Sequence, residues 1–463
     1  MAIEQELVSL YRTMLTIRRF EERVSKEFSE GKIPGYVHVY IGEEAIATGV
    51  CSNLLVCMNY LPDADPAPLY TEHLSYAARY AAPLSDEIGV HQNTREPERR
   101  LRIGYVSADL RRHPTGYFLE SVLAAHDPGQ VEISCYSDTS TGDEITARLK
   151  ASCSHWHDCA GLDDATLASR IRDDGIDILV DLSGHTAGNR LLVFARKPAP
   201  VQVAWLGYFN TTGLDSIDYG LWDSITVPAG SERWFSEKVV RLPHSRFCYT
   251  PPEYAPAVAP PPLLEKGYVT YGCFNNLAKL TPEVITLWAG LLQRVPGAHL
   301  ILKWGSFKDT GVQRRYREMF QQHGIDPARI DLRGASPHGE MLAEYGDMDI
   351  ALDPFPFSGG LTSCEALWMG VPVVTLAGEL PVSRQTMGFL TLVGLSDLAA
   401  TDLEQYLAIA SELGRDTARL QNLRLSLRHT MQASPLCDAV TFTRNLEAAY
   451  RSMWRTWCAK EPA

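Results

Sequence analysis

Apolar and polar positions follow two rhythms along the chain. Leu7, Leu10, Tyr11, Met14, Leu15, Ile17, Phe20 and Val24 recur at helical spacing, which predicts an amphipathic helix over residues 3–30, ended by Gly31 and Pro34-Gly35. From Val56 to about Arg99 the pattern is helical and loop-like, with Asp63-Ala-Asp-Pro-Ala-Pro as a break and a helix over Leu69–Tyr80. Short apolar runs of strand length then begin at Arg102–Ser107, Val131–Tyr136, Ile176–Leu182 and Val201–Leu206. Helical patterns separate them around Gly116–Ala125, Glu144–Ala151 and Asp164–Asp174. A stiff proline-rich stretch, Thr250–Pro262, precedes a second series at Thr270–Cys273, Leu300–Lys303, Ile330–Leu332, Ile350–Leu352 and Val373–Leu376. The tail from Leu403 to Trp457 is helical. Strands alternating with helices predict an α/β fold with two parallel, doubly wound sheets, in which ligands meet loops at the carboxyl ends of the strands. The expected division is a helical segment (1–54), a helical connector (55–99), a first α/β domain (100–250), a linker (251–267), a second α/β domain (268–400) and terminal helices (401–463).

Composition narrows the function. At 463 residues, 45% apolar and 21% charged, the chain is ordinary globular material with room for two or three cores. A net charge of −13 argues against a nucleic-acid partner. No run of 18 apolar residues and no signal-peptide pattern is present, so the expectation is a cytoplasmic protein without a membrane partner. Ten scattered cysteines include no Cys-x-x-Cys pair and read as reduced, mostly buried thiols. Cys153-Ser-His-Trp-His-Asp-Cys159 contains metal-ligand residue types, but its spacing fits no common zinc motif and its alternation reads as a strand, so no metal is expected.

The chemistry concentrates in Asp349-Ile-Ala-Leu-Asp-Pro-Phe-Pro-Phe-Ser-Gly-Gly-Leu-Thr-Ser-Cys-Glu-Ala-Leu-Trp-Met-Gly370. A buried strand, a small-residue loop and a helix start succeed one another. A helix N-terminus exposes free N–H groups and the positive dipole end, which suits a phosphate. Thr362 and Ser363 can add hydroxyl donors, and Glu365 can accept hydrogen bonds from a ribose. Tyr271-Gly-Cys-Phe-Asn-Asn-Leu-Ala-Lys-Leu-Thr-Pro282 is a second strand–turn–helix joint. There Lys279 can neutralise a departing diphosphate, and Asn275 and Asn276 can offer amide hydrogen bonds. After the first strand, Asp109 and His113 occupy a loop at the cleft, the histidine having the pKa range of a general base. Leu182-Ser-Gly-His-Thr-Ala-Gly-Asn-Arg190 supplies His185, Thr186 and Arg190 to the same rim. His73 fits the packed face of its helix better than the cleft.

Two resemblances sharpen these readings. Asp353-Pro-Phe-Pro-Phe, Gly359-Gly360 and Cys364-Glu-Ala-Leu-Trp-Met-Gly-Val-Pro-Val-Val-Thr375 resemble the nucleotide-sugar loop of the O-linked N-acetylglucosamine transferase/SPINDLY family, over about residues 55–457. The resemblance implies the GT-B architecture of two Rossmann-like domains. It also implies transfer of N-acetylglucosamine from UDP-GlcNAc to Ser/Thr hydroxyls of protein acceptors, with inversion and without metal or other cofactor. On that likeness Asp109, His113 and Thr115 line the pocket where donor and acceptor meet, and Gly207 brings backbone close to the donor sugar. Lys279 is the essential lysine and Asn276 the phosphate-side amide. The chain departs from the family pattern at Phe209-Asn210 (Pro-Gly), Met341 (a base-reading histidine) and Leu361 (Thr). A GDP-fucose donor, or a degenerate nucleotide-sugar-binding module, are the alternatives. Separately, Leu10-Tyr-Arg-Thr-Met-Leu-Thr-Ile-Arg-Arg-Phe-Glu-Glu-Arg23 and His38-Val-Tyr-Ile-Gly-Glu-Glu-Ala45 resemble the start of a thiamine-diphosphate-dependent 2-oxo acid dehydrogenase E1 alpha subunit, over about residues 5–52. That family's Gly-Asp-Gly…Asn motif is absent from the chain. The combination reads as a fusion in which a foreign helix replaces the family's tetratricopeptide repeats.

Overall fold

The computed structural model describes residues 45–460 apart from Asp63. The helix expected over residues 3–30, and most of the stretch resembling a dehydrogenase, lie outside the described residues. The connector begins with α1 (Ala45–Met58) and α2 (Pro66–Tyr76). Asp65 starts α2 by accepting the Ala67 N–H at 2.9 Å, with Pro66 at the first helical position where no N–H is needed.

Seven parallel strands form the first sheet: β1 (Leu101–Ser107), β2 (Val131–Ser137), β3 (His155–Asp158), β4 (Ile178–Asp181), β5 (Val201–Ala204), β6 (Tyr219–Trp222) and β7 (Lys238–Arg241). Their order is β3-β2-β1-β4-β5-β6-β7. The second sheet joins β8 (Thr270–Cys273), β9 (His299–Lys303), β10 (Ile330–Arg333), β11 (Ile350–Leu352), β12 (Val373–Leu376) and β13 (Ala399–Ala400), also all parallel, in the order β10-β9-β8-β11-β12-β13. The order reverses at β1/β4 in one lobe and at β8/β11 in the other. A crevice opens at each reversal, outside the carboxyl ends of the strands. The central strands β4, β8 and β11 are buried along their whole length, as a sheet covered on both faces requires.

The helices that position the site are α3 (Pro114–Ala125), α4 (His338–Glu344) and α5 (Leu361–Trp368). The last helix, α6 (Ala439–Cys458), crosses from the second lobe back over the first. Its Glu447 carboxylate accepts the Asp127 N–H at 2.8 Å and meets His126 Nδ1 at 3.0 Å. Tyr450 meets the Tyr105 hydroxyl at 3.3 Å, and Trp454 Nε1 donates to the Glu96 carbonyl at 3.1 Å. The lobes also meet directly, through the Tyr249 N–H on Leu436 O at 2.7 Å and Arg384 Nε on Ile225 O at 2.6 Å.

The Cys153–Cys159 stretch holds β3, in keeping with its alternation. His155 meets Glu132 at 2.8 Å, and His157 stacks on Tyr136 with ring centroids 4.7 Å apart.

Candidate active site

The second lobe builds one wall of the cleft from the ends of β8 and β11. Asp353, 1% exposed, accepts the Gly359 N–H at 2.6 Å and the Thr375 hydroxyl at 2.7 Å, and so fixes the loop between β11 and α5. Burial pushes this carboxyl up, against the pull of Thr375, Thr386, Lys279 and the Gly359 N–H. A Cβ at 359 would stand 2.1 Å from Ser363 Oγ, so any residue larger than glycine there has to displace that hydroxyl. No side chain caps α5, whose Ser363 and Cys364 N–H groups bond back to Gly360 O at 3.2 and 3.3 Å. The mouth of this helix is therefore left for an anion.

Lys279 stands beside that mouth. Its Nζ donates to Asn275 Oδ1 at 3.1 Å and to Ser358 O at 2.8 Å, and lies 4.4 Å from the centre of the Phe357 ring. An ammonium has three donors, so one N–H remains for a ligand. Burial lowers the Lys279 pKa to about 8, with the Asp353 charge opposing the shift. Thr362 Oγ1 donates to the same Asn275 Oδ1 at 3.1 Å, which ties the lysine to the first turn of α5. The structure thus brings Lys279 and Thr362 together, as expected, through Asn275. Asn276 does something else: its Oδ1 accepts the Ala278 N–H at 3.0 Å and starts the short turn Leu277–Lys279. Ser363 also points inward, 2.8 Å from Thr386 Oγ1, and braces the loop.

Glu365, 2% exposed, is held by His338 Nε2 at 2.7 Å. Burial pushes its carboxyl up and the His338 contact pulls it down. His338 Nδ1 meets the Tyr254 hydroxyl at 2.6 Å, so the ring bridges Tyr254 and Glu365. The family pattern directs attention to position 341, where Met341 packs partly buried, and away from His338 at the start of the same helix. The signal for His338 is Pro337 opening α4, which sets the next residue at a helix start facing the loops.

The first lobe supplies the opposite wall. His113 caps α3, its Nδ1 accepting the Thr115 N–H at 3.3 Å, which leaves the ring proton on Nε2. Asp109 Oδ2 lies 3.6 Å from that Nδ1, and its other oxygen meets Arg111 Nη2 at 3.3 Å. Burial pushes His113 below its usual pKa, Asp109 raises it and Arg111 lowers it. Thr115 is buried at the first turn. Tyr117, two residues further along α3, lies 5.4 Å from the His338 ring, so the starts of α3 and α4 face one cleft.

Three rim residues of the sequence reading are placed elsewhere. His185 is fully buried: Nδ1 meets Ser52 Oγ at 3.1 Å and Nε2 donates to Thr212 O at 2.8 Å. It pins α1 to the loop after β5 and has no nitrogen left for a sugar. Arg190 pairs with Asp138 and Asp164 at 2.8 and 2.9 Å, and Thr186 donates to Ser183 O at 2.7 Å. Gly207 is required by packing, since a Cβ there would lie 1.7 Å from Leu182 O. Phe209 and Asn210, the departures from Pro-Gly, hold this loop by side chains: Phe209 packs edge-on to Phe357 at 4.5 Å, and Asn210 Nδ2 donates to Asn59 Oδ1 at 3.1 Å. His73 lies on the packed face of α2, donating to Leu69 O at 2.7 Å and meeting the Tyr208 hydroxyl at 2.8 Å, and burial lowers it to about 4.

Comparison with known proteins agrees with this geometry. Residues 85–250 and 263–446 match the model of glycosyl transferase family 41. The "Probable UDP-N-acetylglucosamine--peptide N-acetylglucosaminyltransferase SPINDLY" of Petunia hybrida is 42% identical over 412 residues, 88% of this chain and 44% of that one. The corresponding protein named SEC from Arabidopsis thaliana is 31% identical over 84% of this chain and 41% of its own. The chain spans about half the length of the curated relatives it matches. Among solved structures, a mutant O-GlcNAc transferase from Thermobaculum terrenum superposes with a TM-score of 0.85 at 42% identity, covering 90% of this chain and 79% of that one. Sucrose-phosphate synthase from Thermosynechococcus elongatus, 13% identical, superposes with a TM-score of 0.52 over 77% of this chain and 100% of its own, and shares the fold.

Proposed function

We propose, for a chain that belongs to glycosyl transferase family 41 and folds as a GT-B glycosyltransferase, that it transfers N-acetylglucosamine from UDP-GlcNAc to Ser/Thr hydroxyls of proteins. The observation that carries the reading is the pairing of Lys279 with the uncapped start of α5 through Asn275. A nucleoside diphosphate seated there has its phosphate oxygens against free N–H groups and its leaving charge beside an ammonium. These groups stabilise charge that grows as the sugar–phosphate bond breaks, so their effect belongs to the transition state. They supply the positive charge that a divalent ion otherwise brings, and the proposed reaction is metal-independent.

The acceptor oxygen attacks the anomeric carbon from the face opposite the diphosphate and inverts it. On that side the Asp109 carboxylate takes the proton of the acceptor hydroxyl, and His113, in place of the general-base role expected of it, offers a hydrogen bond from Nε2 and keeps its own proton. Glu365 meets the ribose once His338 gives way to it. Among the described residues no helix is long and apolar enough to cross a membrane. We place the enzyme in the cytoplasm, with protein acceptors and no nucleic-acid partner.

Calorimetric titration with UDP tests the reading, together with product analysis from UDP-GlcNAc and GDP-fucose in the presence of a chelator. UDP binding with GlcNAc release supports it. Release from GDP-fucose alone favours the second donor. No binding of UDP or GDP at millimolar concentration leaves a degenerate module.

A further inference from the structure

One aromatic ring touches three separate parts of the molecule. Phe357, 8% exposed, sits in the loop between β11 and α5. Its face lies against the Lys279 ammonium, 4.4 Å from nitrogen to ring centre. Tyr60, in the turn after α1, packs against it at 4.5 Å with the rings tilted by 36°. Phe209, from the loop after β5 in the first lobe, meets it edge-on at 4.5 Å. Leu69, Leu380 and Val382 complete this apolar cluster, which belongs to no single domain. Next along the chain, Ser358 gives Lys279 its carbonyl at 2.8 Å and is itself fixed by its own hydroxyl on Val382 O at 2.6 Å.

The physical consequence concerns the charge on Lys279. The lysine is half-buried, and no carboxylate touches its ammonium: the neighbours are two carbonyl oxygens and the ring face. A ring face is attractive to a cation because of its quadrupole, and more so when water is excluded. Beside the Asp353 charge, which favours the protonated form from a distance, the ring face adds to that preference without the neutralisation that a direct ion pair with a carboxylate would bring. A charged, unpaired lysine is what a departing diphosphate needs.

We propose that Phe357 is a positioning residue for Lys279, and that Tyr60 and Phe209 set the plane of its ring, so that the connector and the first lobe reach the diphosphate site through this one side chain. The inference rests on the transferase reading and adds to it a route by which whatever is attached before α1 acts on the transfer step. Docking or displacement of the connector moves Tyr60, and Tyr60 moves the ring that holds the ammonium.

Lysine carbon-13 NMR on the full chain, with the Lys279 signal assigned by its loss in Lys279→Arg, reads this coupling without any substrate. In Phe357→Leu, which keeps the site apolar but removes the ring face, the Lys279 pKa falls by about half a unit, while Phe357→Tyr leaves it in place. Tyr60→Ala shifts it in the same direction by less, and Tyr60→Phe does not shift it. UDP affinity at pH 8.5 then weakens about threefold in Phe357→Leu and is restored in Phe357→Tyr. An unchanged Lys279 titration in both Phe357→Leu and Tyr60→Ala overturns the inference even where UDP binds. Should Phe357→Leu fail to fold, Tyr60→Ala decides alone, its side chain being half-buried outside both lobes. A normal shift in Lys279 with no UDP binding by the unmodified protein instead sinks the transferase reading, and the positioning role with it.

Discussion

β4 is bracketed by Asp177 and Asp181, and β11 by Asp349 and Asp353, in the same relation to the neighbouring central strand. Asp177 accepts the Arg102 N–H at the start of β1, and Asp349 the Thr270 N–H at the start of β8, each at 2.8 Å. At the other end Asp181 accepts the Ser183 and Gly184 N–H groups at 3.1 and 2.8 Å, and Asp353 accepts the Gly359 N–H at 2.6 Å. The two lobes differ in the loop beyond this second aspartate. After β4 the chain turns inward at once, and His185 spends both nitrogens on Ser52 and Thr212. After β11 the loop, residues 354–360, carries Phe357 and Ser358 to Lys279 and ends on an uncapped helix. The frame is equally rigid in both places. Chemistry appears where the loop leaves donors unspent.

The sharpest test of that contrast exchanges Lys279 for Ala. Transfer falls by about 10²–10³-fold, the loss typical of removing a donor aimed at developing charge. The melting temperature holds or rises, since an alanine has no charge to keep away from water. A mutant that unfolds, or one that transfers at the normal rate, breaks the assignment.

This contrast is only half legible in the sequence. Length and apolarity disclose β1, β2, β4, β5 and all of the second sheet except β13, which has two residues. β6 and β7 escape notice because Gly220 interrupts the first and the second, at the edge of its sheet, is charged at both ends. Lys279 and the α5 mouth are readable because strand–loop–helix joints have composition signals. Which of two adjacent amides faces the cleft is not: a turn of three residues consumes Asn276 and delivers Asn275. Nor can His185 be separated from a ligand-facing histidine, because its partners Ser52 and Thr212 come from distant segments that only the fold brings together.

A smaller effect separates the two aspartates. Asp181→Asn costs about 1–3 kcal/mol of stability, because one of the two oxygens that accept the Ser183 and Gly184 N–H groups becomes an NH2 donor facing one of them. UDP affinity is unchanged. Asp353→Asn has a similar effect on stability but also weakens UDP, since it frees the loop that carries Ser358 to Lys279. Thermal melts paired with UDP titration check both. Equal effects on binding would erase the distinction between a structural and a functional loop. Gly207→Ala belongs with Asp181→Asn: its Cβ would stand 1.7 Å from Leu182 O, and relief of that overlap costs about 1–3 kcal/mol in the melt.

The mildest effect is the one that only the second lobe can show. Lys279 titrates at about 8 in the folded protein, lowered by burial, against an ordinary value of about 10.4 in an unfolded chain. Folding therefore disfavours its protonated form. That cost is fully present below pH 8 and disappears as pH climbs toward the unfolded value, so this group adds stability with rising pH across that window. A diphosphate demands the opposite, a charged lysine. UDP affinity is flat below pH 8 and weakens by about tenfold from pH 7 to pH 9, as the free protein gives up the proton that binding must restore. Titration calorimetry in two buffers of different ionisation enthalpy reads that proton uptake directly. Lys279→Met abolishes both slopes. His185, buried beneath the matching loop of the first lobe with its pKa far below the usual range, takes no part in them, and His185→Gln leaves the alkaline slope of UDP affinity as it was. A slope that survives in Lys279→Met would move the diphosphate away from α5.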